Sequence, residues 1–245
     1  MTDMSAKIIS RRYFIGTAAS AAALAALPFN LQAQPVKKTR KPNSKVRGVQ
    51  LGCTTYSYRA MPHKVDDVIQ YLLLAGINSI ELRSVAEEDL GLPQLPARPR
   101  GTMTDKEKAE FEKATREARE KQHQWRISLP MSRYEEMRRK FNNAGINVHI
   151  VKFAPSSWYD DEIDYAFTAA KVLGTYGITD EMSEEACQRL GKFAEKHKSL
   201  AIFHNHSQVA ESGFSFDKYL AYSPANRLNF DAATFSVLQE YTRTP

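Results

Sequence analysis

From residue 47 onward the chain alternates short apolar runs with longer amphipathic ones. "RGVQLGC" (47–53), "INSIEL" (77–82), "INVHIVKF" (146–153), "YGIT" (176–179), "LAIFHNH" (200–206) and "RLNFDA" (227–232) have the length and the β-branched or aromatic content of strands. Between them "KVDDVIQYLLLAG" (64–76), "SRYEEMRRKFNNAG" (132–145), "DDEIDYAFTAAKVLG" (160–174), "SEEACQRLGKFAEKHK" (183–198) and the shorter "SFDKYLAY" (215–222) repeat apolar residues at helical spacing. Gly76 and Gly145 mark helix ends, and Ser132 with Glu135 has the spacing of a capping box. Six strands alternating with helices predict an α/β fold with a parallel sheet. The string "AGI" recurs at 75–77 and 144–146, at the same helix-to-strand joint, as expected of units in one barrel. One insertion, 84–130, interrupts the order with a Pro-rich loop and a charged helix. Its charges are expected to form a solvated face, with the chain returning to the barrel near "WRISLPM" (125–131).

The segment ahead of this pattern reads differently. "SRRYFIGTAASAAALAALPFNLQAQ" joins Arg11 and Arg12 to Tyr13, Phe14 and Ile15, then to an alanine-rich run and small residues around Ala33. That is the plan of a twin-arginine (Tat) signal peptide over residues 1–33, the apolar run being too short and too weakly apolar for a membrane span. It predicts export by the Tat machinery to the periplasm or beyond. Residues 34–46 read as a basic linker, and 47–245 as the folded domain.

The leader also changes the meaning of the charge. The chain carries +6 overall, with a pI of about 9.2. Lys7, Arg11 and Arg12 oppose only Asp3 in the leader, and Lys37, Lys38, Arg40, Lys41 and Lys45 follow in the linker. These outweigh the whole excess, so the folded part is slightly acidic. A basic nucleic-acid-binding face is therefore not expected. Cys53 and Cys187 read as buried thiols.

In a parallel barrel the chemistry sits at the carboxyl ends of the strands. Those ends carry Tyr56; Glu81 and Arg83; Lys152; Glu181; His204, Asn205 and His206; and Asp231. Each has a plain structural alternative. Glu81 and Arg83 can pair with each other, Glu181 suits a helix N-terminus, and His204 can be a core histidine. Together, carboxylates and imidazoles suit a divalent ion such as Mn, Zn, Co, Fe or Mg. Such an ion polarises a carbonyl, and a neighbouring carboxylate or imidazole then moves the proton beside it.

"GVQLGCTTYSYRA", "AGINSIEL", "WRISLPM", "RKFNNAGI", "IFHNH" and "RLNFDAATF", in this order, resemble the xylose-isomerase-like TIM-barrel family of sugar phosphate isomerases/epimerases, and in particular its secreted bacterial members with Tat leaders. The resemblance spans about residues 47 to 240. It implies a (β/α)8 barrel, a divalent metal at the mouth and a sugar or polyol substrate. On this reading Asp231, His206 and Glu181 hold the metal, Glu81 and His206 move protons, and Tyr56, Lys152, His204 and Asn205 hold the substrate. Two features depart from the family. "DAAT" places Ala233 and Thr234 where Gly and His are usual, and the sequence shows six strand units where a full barrel has eight. An incomplete barrel with exposed apolar surface predicts a homodimer or aggregation. The alternative reading is a degenerate, non-catalytic carbohydrate-binding barrel.

Overall fold

The computed structural model describes residues 41–232. The leader, most of the linker, and Ala233 and Thr234 lie outside the described residues.

The first expected strand is three elements. Lys45–Val46 (β1) and Val49–Gln50 (β2) form an antiparallel hairpin, and only Cys53–Thr54 (β3) belongs to the main sheet. The break falls at Arg47 and Gly48, with φ of 48° and 86°. Two consecutive residues at positive φ make the tight turn that joins twisted strands, and Gly48 takes that conformation without steric cost. The hairpin draws Lys45 and Val46, read as linker, into a folded element.

The main sheet continues with Ser79–Leu82 (β4), Asn147–Val151 (β5), Gly177–Glu181 (β6), Leu200–His204 (β7) and Asn226–Asn229 (β8). All pairs are parallel, and the spatial order is the sequence order. That order is the singly wound arrangement of a (β/α) barrel, whereas a doubly wound sheet reverses direction part-way. Among the described residues the sheet is open, with β3 and β8 as its edges. Helices α1 (Val65–Ala75), α2 (Val85–Glu88), α3 (Asp105–Ser128), α4 (Ser132–Asn143), α5 (Asp160–Leu173), α6 (Glu184–His197) and α7 (Phe216–Leu220) fill the crossovers. None of them is long and apolar enough to cross a membrane.

The core lies between the helices and the outer face of the sheet. Leu72, Phe141, Phe167 and Leu190 from helices meet Ile80, Ile178 and Phe203 from strands, all fully buried. Burying one such side chain contributes about 1.5–3 kcal/mol, so the helix-facing side of the sheet holds the fold together. Along β7 the two-residue period is clear. Ala201, Phe203 and Asn205 are fully buried on the helix side, while Leu200, His204 and His206 are partly or fully exposed on the other.

Helix ends follow their punctuation with one exception. Gly76 closes α1 in the left-handed conformation, its N–H donating to the Leu72 and Leu73 carbonyls. The capping box expected at Ser132 does not form. Met131 is already helical and the Arg133 N–H donates to the Pro130 carbonyl, so Ser132 lies inside the first turn and cannot cap it.

The inserted helix α3 departs from a purely solvated reading. Its first turns are exposed, but Gln122 and Arg126 are buried and Trp125 packs on the core. Arg126 donates to Glu87 through Nε and Nη2 at 2.8 and 3.1 Å, and to Glu162 through Nη1 at 2.8 Å. Its guanidinium also lies 3.5 Å above the Trp158 ring. Of the two thiols, Cys187 is buried as expected and Cys53 is only half-buried.

Candidate functional site

The site depends on an irregularity in β5. Ile80 pairs with Val148, but Glu81 pairs with Ile150, so His149 is an extra residue on the β5 side. Strict alternation from Val148 would send Ile150 and Lys152 into the helix-side core. The bulge reverses the faces beyond it. Val151 enters the core, and Lys152 turns to the inner side at the carboxyl end of the sheet, where its ammonium pairs with Glu181 Oε1. Lys152 is 8% exposed, so this partner offsets the cost of burying its charge.

Glu181 ends β6 and is held from behind. Asp180, on the helix side, accepts the Ser156 N–H on Oδ2 at 2.8 Å and the Glu181 N–H on Oδ1 at 2.7 Å. Burial raises the Asp180 pKa against these hydrogen bonds. The loop after β5 is thereby tied to the end of β6, and Ala154, at φ 53°, turns it there with its N–H on the Thr179 carbonyl.

Glu181 Oε2 lies 2.7 Å from His206 Nε2, yet the approach lacks the in-line geometry of a hydrogen bond, and the oxygen is buried without one. The contact is best described as electrostatic, with the oxygen's lone pairs still available. His204 stands edge-on to His206, with ring centres 4.6 Å apart. Its Nδ1 is 3.3 Å from the Asn229 carbonyl. A carbonyl only accepts, so Nδ1 carries the proton and Nε2 keeps its lone pair. One ligating atom from each of Glu181, His204 and His206 lies within 4.8 Å of the others. Three protein donors, one carboxylate and two imidazoles, match the donor number of an open catalytic metal site.

Burial alone would raise the Glu181 pKa, but Lys152, then His206 and His204, bring it below the ordinary value of 4.5. A depressed folded-state pKa stabilises the fold in full above the unfolded value near 4.5, and the gain is lost as pH falls through the lower folded value. A carboxyl NMR titration should place Glu181 below 4.5 and move it upward in Lys152→Met. A wild-type midpoint at or above the ordinary value would show that the pairing is not formed.

The remaining expected site residues divide. Glu81 faces inward and accepts the Thr179 hydroxyl at 3.2 Å, rather than pairing with Arg83. Arg83 instead lies 4.7 Å from the Tyr56 ring centre, with Arg59 at 4.4 Å. Tyr56 is 51% exposed at the end of β3, available to a ligand but not joined to the Lys152–Glu181 pair. Asn205 was expected to touch substrate. It is fully buried, and its amide is used on the backbone of Asp231, receiving that N–H at 2.7 Å and donating to the carbonyl at 3.2 Å. It fixes the ends of β7 and β8 to each other. Asp231 was expected among the metal ligands, but its carboxylate is not part of the cluster, where His204 takes the third place. Asp180, at the same strand end as Thr179 and Glu181, is given no role by the sequence reading. Its position beside Glu181, on the opposite strand face, is the signal for a supporting residue.

No protein-family model matches the chain, and no curated protein does. Solved structures do. A sugar phosphate isomerase/epimerase from Parabacteroides distasonis aligns with TM-score 0.48 and 14% identity, over 83% of this chain and 70% of its own. A probable 3-DHS dehydratase involved in petrobactin synthesis, from Bacillus anthracis, gives 0.49 and 12%, over 78% and 66%. A xylose isomerase-like TIM barrel/4-hydroxyphenylpyruvate dioxygenase fusion protein gives 0.42 and 12%, over 74% and 26%. The chain therefore spans about two thirds of the length of the first two. The fold class rests on the observed sheet order, and the chemistry on the residues at its carboxyl end.

Proposed function

We propose that the protein is a sugar isomerase/epimerase-like enzyme that transfers a proton beside the carbonyl of a sugar or polyol-derived substrate. The observation that carries this reading is the convergence of Glu181, His204 and His206 beside the buried Lys152. Glu181, His204 and His206 would hold a divalent ion, which when bound would supply Lewis-acid polarisation of a carbonyl and an adjacent hydroxyl. Lys152 places a positive charge where carbonyl oxygen gains electron density. Glu81 takes the proton from the carbon next to the carbonyl, and the Thr179 hydroxyl holds its carboxylate in place. Return of that proton to the former carbonyl carbon, with the neighbouring hydroxyl's proton passing to the former carbonyl oxygen, gives isomerisation; epimerisation requires a second proton donor on the opposite face of the same carbon. Tyr56 offers an exposed ring for the sugar.

The test is solvent exchange. Aldoses and ketoses incubated with the protein and Mn, Zn, Co or Mg in D2O should gain deuterium beside the carbonyl, read by NMR. No exchange with any sugar or metal would sink the catalytic reading. One feature favours the non-catalytic alternative: Lys152 pairs with one of the two Glu181 oxygens. Metal-independent sugar binding without exchange is its signature. Export through the Tat route, read from Arg11 and Arg12, belongs to the same proposal, and processing of the leader in periplasmic fractions checks it.

A further inference from the structure

The inner side of the sheet holds a cavity of about 590 Å³ that the metal-centred reading leaves unused. It is bordered by Asn78, Asn147 and Tyr176, at the amino ends of β4, β5 and β6. Deeper in, Ser79, His149 and Glu81 line it, and the edge strands contribute Thr54 and Asn229. Lys152, Glu181, His204 and His206 do not line it. Glu81 is the one residue that both regions share.

The chemistry of the walls selects an occupant. Among the described residues no lysine or arginine lines the cavity, so a phosphate or carboxylate there would meet Glu81 and none of their cations. The side-chain amides of Asn147 and Asn229 have no protein partner among the described residues. Each can donate and accept at once, as a hydroxyl group requires. His149 is fixed by Ser79 Oγ, 2.9 Å from Nδ1. A Cβ added at Gly52 would lie 3.2 Å from the His149 ring, so the ring packs directly against backbone. Burial lowers the His149 pKa, which leaves the imidazole neutral and able to donate or accept. Tyr176, 69% exposed at the rim, supplies a flat apolar surface. A gap shaped to receive another core strand would be walled by aliphatic side chains. Among the described residues Ile150 is the only one here, beside amides, hydroxyls, a thiol, an imidazole and a carboxylate. The volume falls in the range of small-molecule sites, about 300–1,000 Å³.

We infer a second binding site on the amino-terminal side of the sheet, for a neutral polyhydroxylated molecule, an unphosphorylated sugar or polyol, held without metal. It does not depend on the catalytic proposal, and its test keeps the two apart. Saturation-transfer NMR and calorimetry on the full chain, in excess chelator, would compare sorbitol and xylitol with sorbitol 6-phosphate. The polyols should bind and the phosphate should not. The double variant Asn147→Ala/Tyr176→Ala, at surface positions whose folding circular dichroism checks, should weaken binding at least tenfold. His206→Ala should leave it unchanged. Absence of polyol binding overturns the inference, as does equal binding of the phosphate. Binding lost in His206→Ala would place the ligand at the carboxyl-end cluster instead. A dimer that dissociates on Tyr176→Ala would assign the cavity to a second copy of the chain and equally overturn the site.

Discussion

Arg126→Met is expected to cost about 3–5 kcal/mol of stability, because it leaves two buried carboxylates without their cation. The Arg126, Glu87 and Glu162 side chains are each only 5–6% exposed. Burial disfavours the guanidinium charge, but Glu87 and then Glu162 more than offset this and hold Arg126 above its ordinary pKa. Glu87 Oε1 also accepts the Tyr165 hydroxyl at 3.2 Å, and Tyr165 meets the Tyr134 hydroxyl at 2.5 Å. Methionine keeps an unbranched apolar stem but removes the charge, its three hydrogen bonds and the guanidinium over Trp158 together. For a domain of this size the midpoint of thermal unfolding should fall by roughly 6–20 °C. The triple variant Arg126→Met/Glu87→Gln/Glu162→Gln removes the stranded charges and should recover most of that loss. A drop of less than about 1 kcal/mol in the single variant, the range of exposed pairs, would mean that water reaches the network.

That node explains where sequence reading succeeded and where it stopped. The periods of apolar residues located five of the six main strands and the helices packed on them, because packing against one layer of helices imposes a two-residue period on strands and a 3.6-residue period on helices; the first strand was placed too early and the short helix Val85–Glu88 was not marked. The inserted helix has little apolar periodicity, so its charges read as solvated. Arg126 looks like its neighbours in sequence. Only the three-dimensional approach of Glu87 on α2 and Glu162 on α5 makes it a buried anchor. The hairpin at 45–50 was hidden for a related reason: "RGVQLGC" has strand composition, but the Arg47–Gly48 turn reverses the chain before β2. At the site, the carboxyl-end residues were legible as a group, and their pairings were not. The bulge at His149 has no composition signal, yet it decides that Lys152 faces Glu181 rather than the core. The Asn205 side chain clamps the Asp231 backbone, because the two-residue period places Asn205 on the helix side, opposite His204 and His206.

Glu181→Gln should abolish divalent-metal retention and proton exchange together. The substitution keeps the size and one carbonyl oxygen. It removes the charge that pairs with Lys152 and the anionic oxygen lying 2.7 Å from His206. Loss of an outer partner typically weakens metal affinity 10–100-fold. Loss of a direct donor should exceed that, so a fall of more than about 100-fold in Mn or Zn affinity is expected by calorimetry. Lys152→Met acts in the opposite sense on one quantity. It frees Glu181 Oε1, so metal affinity should hold or rise while exchange is lost with the carbonyl-facing charge. The two variants thus divide the roles of one ion pair. Parallel loss of metal in both would make Lys152 a structural support for the cluster. Metal retained in Glu181→Gln would remove Glu181 from the ligand set, leave only the two imidazoles, and favour the reading in which the carboxyl end binds sugar without acting on it.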